Sequence, residues 1–155
     1  MENKTCCVTG HRDIPTHKEG EIRQKLHSEV LQAINDGYNV FISGFADGAD
    51  LVFADIVVQL KKQFPKLFLE AAIPYQSRLN AKSKQFQQLL MECNGVEVVC
   101  EKYQPNCFLL RNRYMVNQSS RVIAVYDGRD KGGTLATMRY AYCLERDVRV
   151  ITIKK

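Results

Sequence analysis

An α/β fold on a mostly parallel, doubly wound sheet is predicted by two features of this chain. Three short apolar runs each stop at a turn rich in glycine and polar residues, and helical periodicity follows each turn. Strand and helix signals then alternate from one end to the other, the pattern of a parallel sheet with helices on both faces. The expected architecture is a single 155-residue domain with a six-stranded sheet and five intervening helices.

Each element has its own signal. Cys6-Cys7-Val8-Thr9 is the first strand, ending at Gly10-His11-Arg12. Ile22, Leu26, Val30 and Ile34 then recur every fourth residue, with Leu31 in the same stripe, which is one face of a helix that Gly37 is placed to end. Tyr38 to Ser43 is the second strand, followed by the turn Gly44-Phe45-Ala46-Asp47-Gly48-Ala49-Asp50. The second helix starts near Asp47 or Ala49 and runs to about Phe64, stopped by Pro65. Leu67 to Ile73 is the third strand, closed by Pro74, and Leu79, Phe86, Leu89 and Leu90 mark a helix ended by Asn94-Gly95. Val96 to Cys100 is a strand and Cys107 to Ser120 a helix. Val122 to Tyr126 is the fifth strand, leading through Asp127-Gly128 to Gly132-Gly133-Thr134. Leu135, Met138, Ala141, Tyr142 and Glu145 form the last helix, and Val148 to Ile153 the sixth strand. A strand order of 3-2-1-4-5-6 is expected, with right-handed crossovers and a ligand crevice where strands one and four diverge.

Composition narrows the function. An apolar fraction of 45% and a charged fraction of 25% are those of a soluble globular chain. The net charge of +5 is mild and scattered, which favours anionic ligands but lacks the basic, aromatic-interleaved run of a nucleic-acid surface. No apolar stretch approaches the roughly 20 residues of a membrane span. Met1-Glu2-Asn3-Lys4 opens straight into a strand-like run, so no signal peptide and a cytoplasmic location are expected. Six cysteines occur without a C-x-x-C spacing, and His11, His17 and His27 do not cluster with them, so reduced thiols and no metal are expected.

The three turns carry the chemistry. Unpaired N–H groups and partial positive charge at a helix start suit phosphate, and glycine admits it closely. Arg12 suits bidentate phosphate contacts, and His11 suits acid–base work or stacking; the plainer alternative is a tight turn with solvated side chains. Gly44 permits a tight turn, and Gly48 with Ala49 close helix packing. Asp47 fits an N-cap and Asp50 a helix first turn, while either also suits ribose hydroxyls. Gly132, Gly133 and Thr134 make a phosphate nest, or a loop with Thr134 as cap. Arg111 stands at the border of its helix's buried side and so can face the crevice; Tyr75 and Arg78 suit base stacking and phosphate binding.

These motifs resemble the SLOG superfamily of Rossmann-like proteins, named for the DprA and LOG families, and within it the YpsA-like branch of bacterial proteins. The resemblance rests on Val8-Thr9-Gly10-His11-Arg12, on Ser43-Gly44 through Asp50, and on Val125-Tyr126-Asp127-Gly128 leading into Gly132-Gly133-Thr134, and it spans essentially the whole chain. LOG enzymes hydrolyse the N-glycosidic bond of nucleoside monophosphates with an R-K-x-x-M helix and a P-G-G-x-G-T-x-x-E turn. Arg111 and Met115 keep the R-x-x-x-M spacing and Gly133-Thr134 the G-T, but Thr137 occupies the glutamate position. The resemblance therefore implies a nucleotide-binding or sensing domain, for a ligand such as ADP-ribose, without a separate cofactor. The alternative is an N-glycosidic hydrolase in which Asp47, Asp50, Asp127 or Glu101 replaces the missing acid. The expected partner is a nucleotide-derived small molecule; neither membrane nor nucleic acid is favoured, and a homo-oligomer stays open.

Overall fold

The computed structural model describes residues 2–154. One all-parallel sheet contains β1 (Thr5–Gly10), β2 (Val40–Ser43), β3 (Phe68–Tyr75), β4 (Gly95–Cys100), β5 (Arg121–Tyr126) and β6 (Asp147–Thr152). Between them run α1 (Glu19–Asn35), α2 (Ala49–Lys61), α3 (Lys84–Met91), α4 (Cys107–Gln118) and α5 (Gly133–Cys143). Short 3₁₀ turns lie at Thr16–Lys18 and Gln76–Asn80.

The sheet order is β4-β3-β2-β1-β5-β6, which corrects the expected 3-2-1-4-5-6. β4 pairs with β3, not with β1. The physical reason lies in α3. Its Phe86 and Leu89 are buried in the same apolar cluster as Phe53, Ile56 and Val57 of α2, so α3 lies on the face already holding α1 and α2. The winding continues outward by one more strand. It reverses only through α4, which packs with α5 on the opposite face. The reversal point is therefore between β1 and β5, and ligands of such sheets bind outside the strand ends at this point.

The strands alternate between the two cores with period two. Along β1, Cys6 and Val8 join the α1–α3 core and Cys7 joins the α4–α5 core. Along β3, Leu69, Ala71 and Ile73 face the first and Ala72 the second. Phe53 is fully buried against Phe41, with ring centroids 6.1 Å apart; truncation to alanine at such a site costs about 3–5 kcal/mol.

Two boundary differences shape the site. Pro74 does not close β3 but lies within it. The ladder to β4 runs through Ile73 and Tyr75 and skips Pro74, so the missing N–H costs that ladder no pairing. β2 has only four residues and ends at Ser43, opposite Ala71. Ile73, Pro74 and Tyr75 thus extend past the end of β2, leaving space beside them.

Candidate functional site

The first two glycine turns are locked together by close backbone approach. A Cβ on Gly10 would stand 2.4 Å from the Cβ of Ala49 at the start of α2. Gly48, at φ 81°, brings its Cα so close to the β1 turn that a side chain would meet the His11 carbonyl oxygen at 2.4 Å. The Ala49 amide donates to that same carbonyl at 3.2 Å. The α2 N-terminus is therefore partly spent on the β1 turn. Gly10 and Gly48 serve packing, although Gly10 also lines the cleft described below.

Around Gly44, two charged side chains converge. Arg111 is only 4% exposed; its Nη1 donates to the Gly44 carbonyl at 2.5 Å and its Nε to Asn112 Oδ1 at 2.8 Å. Asp50 is buried in the first turn of α2, its backbone carbonyl accepting from Ser43 Oγ at 2.8 Å and its carboxylate from the Ala46 amide at 3.4 Å. A Cβ on Gly44 would fall 2.7 Å from Asp50 Oδ2 and 2.8 Å from Arg111 Nη1. Only glycine leaves room for this pair. Burial pushes the Asp50 carboxyl up to about 6, against the opposing pull of Arg111. Burial likewise draws Arg111 down from its ordinary value, with Asp50 opposing and Arg12 and Arg78 adding to the shift.

The third turn presents the N-terminus of α5. Gly132 caps it at φ 109°, with no side-chain cap bond. A Cβ on Gly133 would find only Asn112 Nδ2, at 3.9 Å, so the approach to the helix end is open. Thr134 is buried, with Oγ1 3.5 Å from His11 Nδ1. The Asp127 amide donates to His11 Nε2 at 3.1 Å, which makes that nitrogen the acceptor and puts the ring proton on Nδ1, toward Thr134. Burial is the largest influence on His11 and lowers its pKa, in keeping with a neutral ring. Asp127 Oδ1 is also 3.1 Å from Nε2, but Arg129 grips both Asp127 oxygens. Those hydrogen bonds hold the Asp127 carboxyl far below the usual range. Arg129 also reaches Asp13, so the turns after β1 and β5 are joined.

These elements enclose a cleft of about 510 Å³ at the β1/β5 reversal. Of the candidates, Gly10, His11, Arg12, Asp50, Arg111, Gly133 and Thr134 line it. Gly44 and Asp47 line a smaller adjoining pocket, and Gly48 lies behind the β1 turn. Asp127 faces another depression and is engaged with Arg129 and His11, while Gly132 acts through its backbone. Thr137 is buried in α5, its hydroxyl donating to the Gly133 carbonyl at 2.7 Å, and it does not line the cleft. Glu101 is exposed on the β4–α4 connection.

Sequence reasoning missed Phe108, Asn112 and Arg129, which also line the cleft. Phe108 lies three and four residues before Arg111 and Asn112, so helical spacing puts all three on one stretch of α4; that signal was present. Arg129 gave none, because its role depends on the fold of the turn around Asp127.

Comparison with known proteins agrees with this architecture. A family model described as the YspA SLOG family matches residues 6–153. A UPF0398 protein of Bacillus pumilus (strain SAFR-032) is 28% identical over 143 residues, covering 83% of this chain and 76% of the relative. A UPF0398 protein of Bacillus cereus (strain B4264) is 29% identical over 118 residues, 72% of this chain and 64% of its own length. The chain thus spans somewhat less than two thirds of that second relative. Among solved structures, DNA processing protein A from Helicobacter pylori, described by its single-stranded DNA binding mode, superposes with TM-score 0.71 at 20% identity, over 95% of this chain and 64% of that one. A structural-genomics target superposes with TM-score 0.58 at 17% identity, over 94% and 72%. These two likenesses establish the fold. Among the described residues no helix is long and apolar enough to cross a membrane, and no group of three metal-ligating side chains occurs.

Proposed function

The chain belongs to the YspA SLOG family, and from that premise we propose that it binds a nucleotide or a nucleotide-derived ligand such as ADP-ribose. The supporting observation is the meeting, in one cleft, of the open N-terminus of α5 at Gly133 and Thr134 with the guanidinium groups of Arg12 and Arg111. A helix N-terminus supplies unpaired N–H groups and partial positive charge to a phosphate. Arg111 has two of its three nitrogens engaged by the protein, which fixes the plane of the fork. Nη2 has no protein partner among the described residues and is free for an anion. The Thr134 hydroxyl, accepting from His11 Nδ1–H, keeps its own proton for the ligand. Binding rather than turnover is the favoured activity, because the acid position of the LOG pattern is Thr137 and its hydroxyl is turned back onto its own helix.

A second reading, N-glycosidic hydrolysis, gains from one observation. Asp50 is a buried carboxylate in the cleft wall, with burial pushing its pKa up to about 6, a property suited to a general acid. Asp127 is held by Arg129, and Glu101 lies outside the cleft.

A thermal-shift panel of nucleoside mono- and diphosphates, ADP-ribose and an oligothymidylate tests the proposal. Ligand at about 100 times its dissociation constant should stabilise the fold by roughly 2.7 kcal/mol. A shift by small nucleotides supports the reading. A shift by the oligonucleotide alone transfers the site to single-stranded DNA, and no shift by any member overturns it.

A further inference from the structure

The cleft continues past Arg12 and Arg111. An annex of about 110 Å³ shares Arg12, Ala46, Phe108 and Arg111 with it and adds Asp47, Tyr75 and Arg78. It occupies the space left where β2 stops at Ser43 while β3 runs on to Tyr75. Arg78 comes from the 3₁₀ turn that follows β3. It is held over the Phe86 ring at 4.9 Å, and its Nη2 donates to the Phe45 carbonyl at 3.2 Å. Arg12 rests 4.9 Å above the Phe108 ring.

Three guanidinium groups therefore line the annex against one carboxylate, that of the exposed Asp47. Four arginines elsewhere are paired with carboxylates: Arg23 with Asp55, Arg121 with Asp36 and Asp147, Arg129 with Asp127 and Asp13, and Arg149 with Asp147. None of Arg12, Arg78 and Arg111 has an ion pair of this kind among the described residues. Like charges gathered in a partly enclosed space repel one another: after burial and the opposing pull of Asp50, Arg12 and Arg78 add to the lowering of the Arg111 pKa. A bound anion relieves that repulsion.

We propose that the annex is a second anion subsite governed by Arg78, so that the ligand carries two linked anionic groups rather than one. The first sits at the α5 N-terminus and the second beside Arg78 and Arg12. Arg12 and Arg111 line both spaces, which suits adjacent phosphates on one ligand. The class is a nucleoside diphosphate or an ester of one, in preference to a nucleoside monophosphate. This inference rests on the nucleotide reading of the main cleft.

The test is calorimetric titration with AMP and ADP. Wild type is expected to bind ADP at least about tenfold tighter than AMP, a difference of 1.4 kcal/mol. Arg78→Gln should bring the two within about threefold while leaving the AMP dissociation constant within about twofold, and Arg78→Lys should keep part of the preference. Unfolding temperatures of both variants check that the fold is intact. Saturable AMP binding with no gain for ADP overturns the annex alone. Equal loss for AMP and ADP in Arg78→Gln also overturns it, since Arg78 would then serve the main cleft. Failure of both nucleotides to bind overturns the underlying nucleotide reading and the annex with it.

Discussion

Arg111 on α4 donates to the carbonyl of Gly44 at the end of β2, a bond of 2.5 Å that spans 67 positions in the chain. It joins a helix of one face to the strand end of the sheet and fixes the guanidinium so that one nitrogen remains for a ligand. A lysine carries the charge but has no planar fork to hold the carbonyl and an anion together. Arg111→Lys should therefore weaken nucleotide binding by about 10- to 100-fold, on the scale of one charge-assisted hydrogen bond. Titration calorimetry reads this directly, and unchanged affinity would remove Arg111 from the site.

Gly133→Asp should separate binding from folding. The position is open, with Asn112 Nδ2 the nearest neighbour at 3.9 Å. An aspartate in a helix first turn stabilises by about 0.3–1 kcal/mol. On the proposed reading, the same carboxylate would occupy the place of the ligand's phosphate. The expected result is an unfolding temperature equal to or slightly above that of wild type, with no measurable nucleotide binding. Gly44→Ala should do the opposite to the fold, since its Cβ would collide with both Asp50 and Arg111; a loss of about 1–3 kcal/mol is expected in denaturant unfolding.

Asp50 makes the stability pH-dependent. Its folded pKa, about 6, lies above the ordinary 3.8, so the stabilising form is the protonated one. That contribution is fully present below about pH 4 and is lost as the pH rises through about 6. Above it the charged carboxylate costs about 3 kcal/mol, by the usual conversion of pKa shift to free energy. Asp50→Asn should thus stabilise the protein at pH 7.5 and have little effect at pH 4, measured by urea unfolding at both values. The same variant decides between the two functional readings. It should leave a binder competent, and it should abolish base release from AMP if the chain is a hydrolase.

The thiols give an independent check on burial. Cys6, Cys7, Cys100 and Cys107 are buried, Cys93 is half-buried with burial pushing its thiol up to about 12, and Cys143 is exposed, with no disulfide among the described residues. Burial pushes Cys7 up to about 12, which leaves almost no thiolate at neutral pH. A thiol reagent should titrate one fast-reacting group in the native protein and six after denaturation. Fewer than six in the denatured chain would reveal an oxidised pair.

Much of the fold was legible because strand and helix periods are local properties. β1 and β5, buried on both faces, read as continuous apolar runs, and the glycine turns after them carry the cleft. The sheet order was not legible. It depends on which face α3 chooses, and Phe86 and Leu89 would fit an apolar core on either side. The site divided in the same way. Arg12, Arg111, Gly133 and Thr134 stood out as residue types at strand and helix ends. Asp127 also stood out, but its carboxylate is held by Arg129 only two positions away, in a turn whose shape no periodicity records. The annex was hidden because it arises from the four-residue length of β2 against the eight residues of β3, a difference of strand ends and not of motif.

If the α5 N-terminus receives a phosphate, as proposed, amide NMR measures it at the atoms concerned. In a ¹⁵N-labelled sample of this 17.7 kDa chain, titration with AMP or ADP should move the amide signals of Gly133 and Thr134 most, together with the Arg111 side-chain Nε–H. The signals of Asp55 and Lys61 on α2, remote from the cleft, should stay still. Saturation with no displacement at Gly133 and Thr134, or with displacements confined to another surface, would contradict the account.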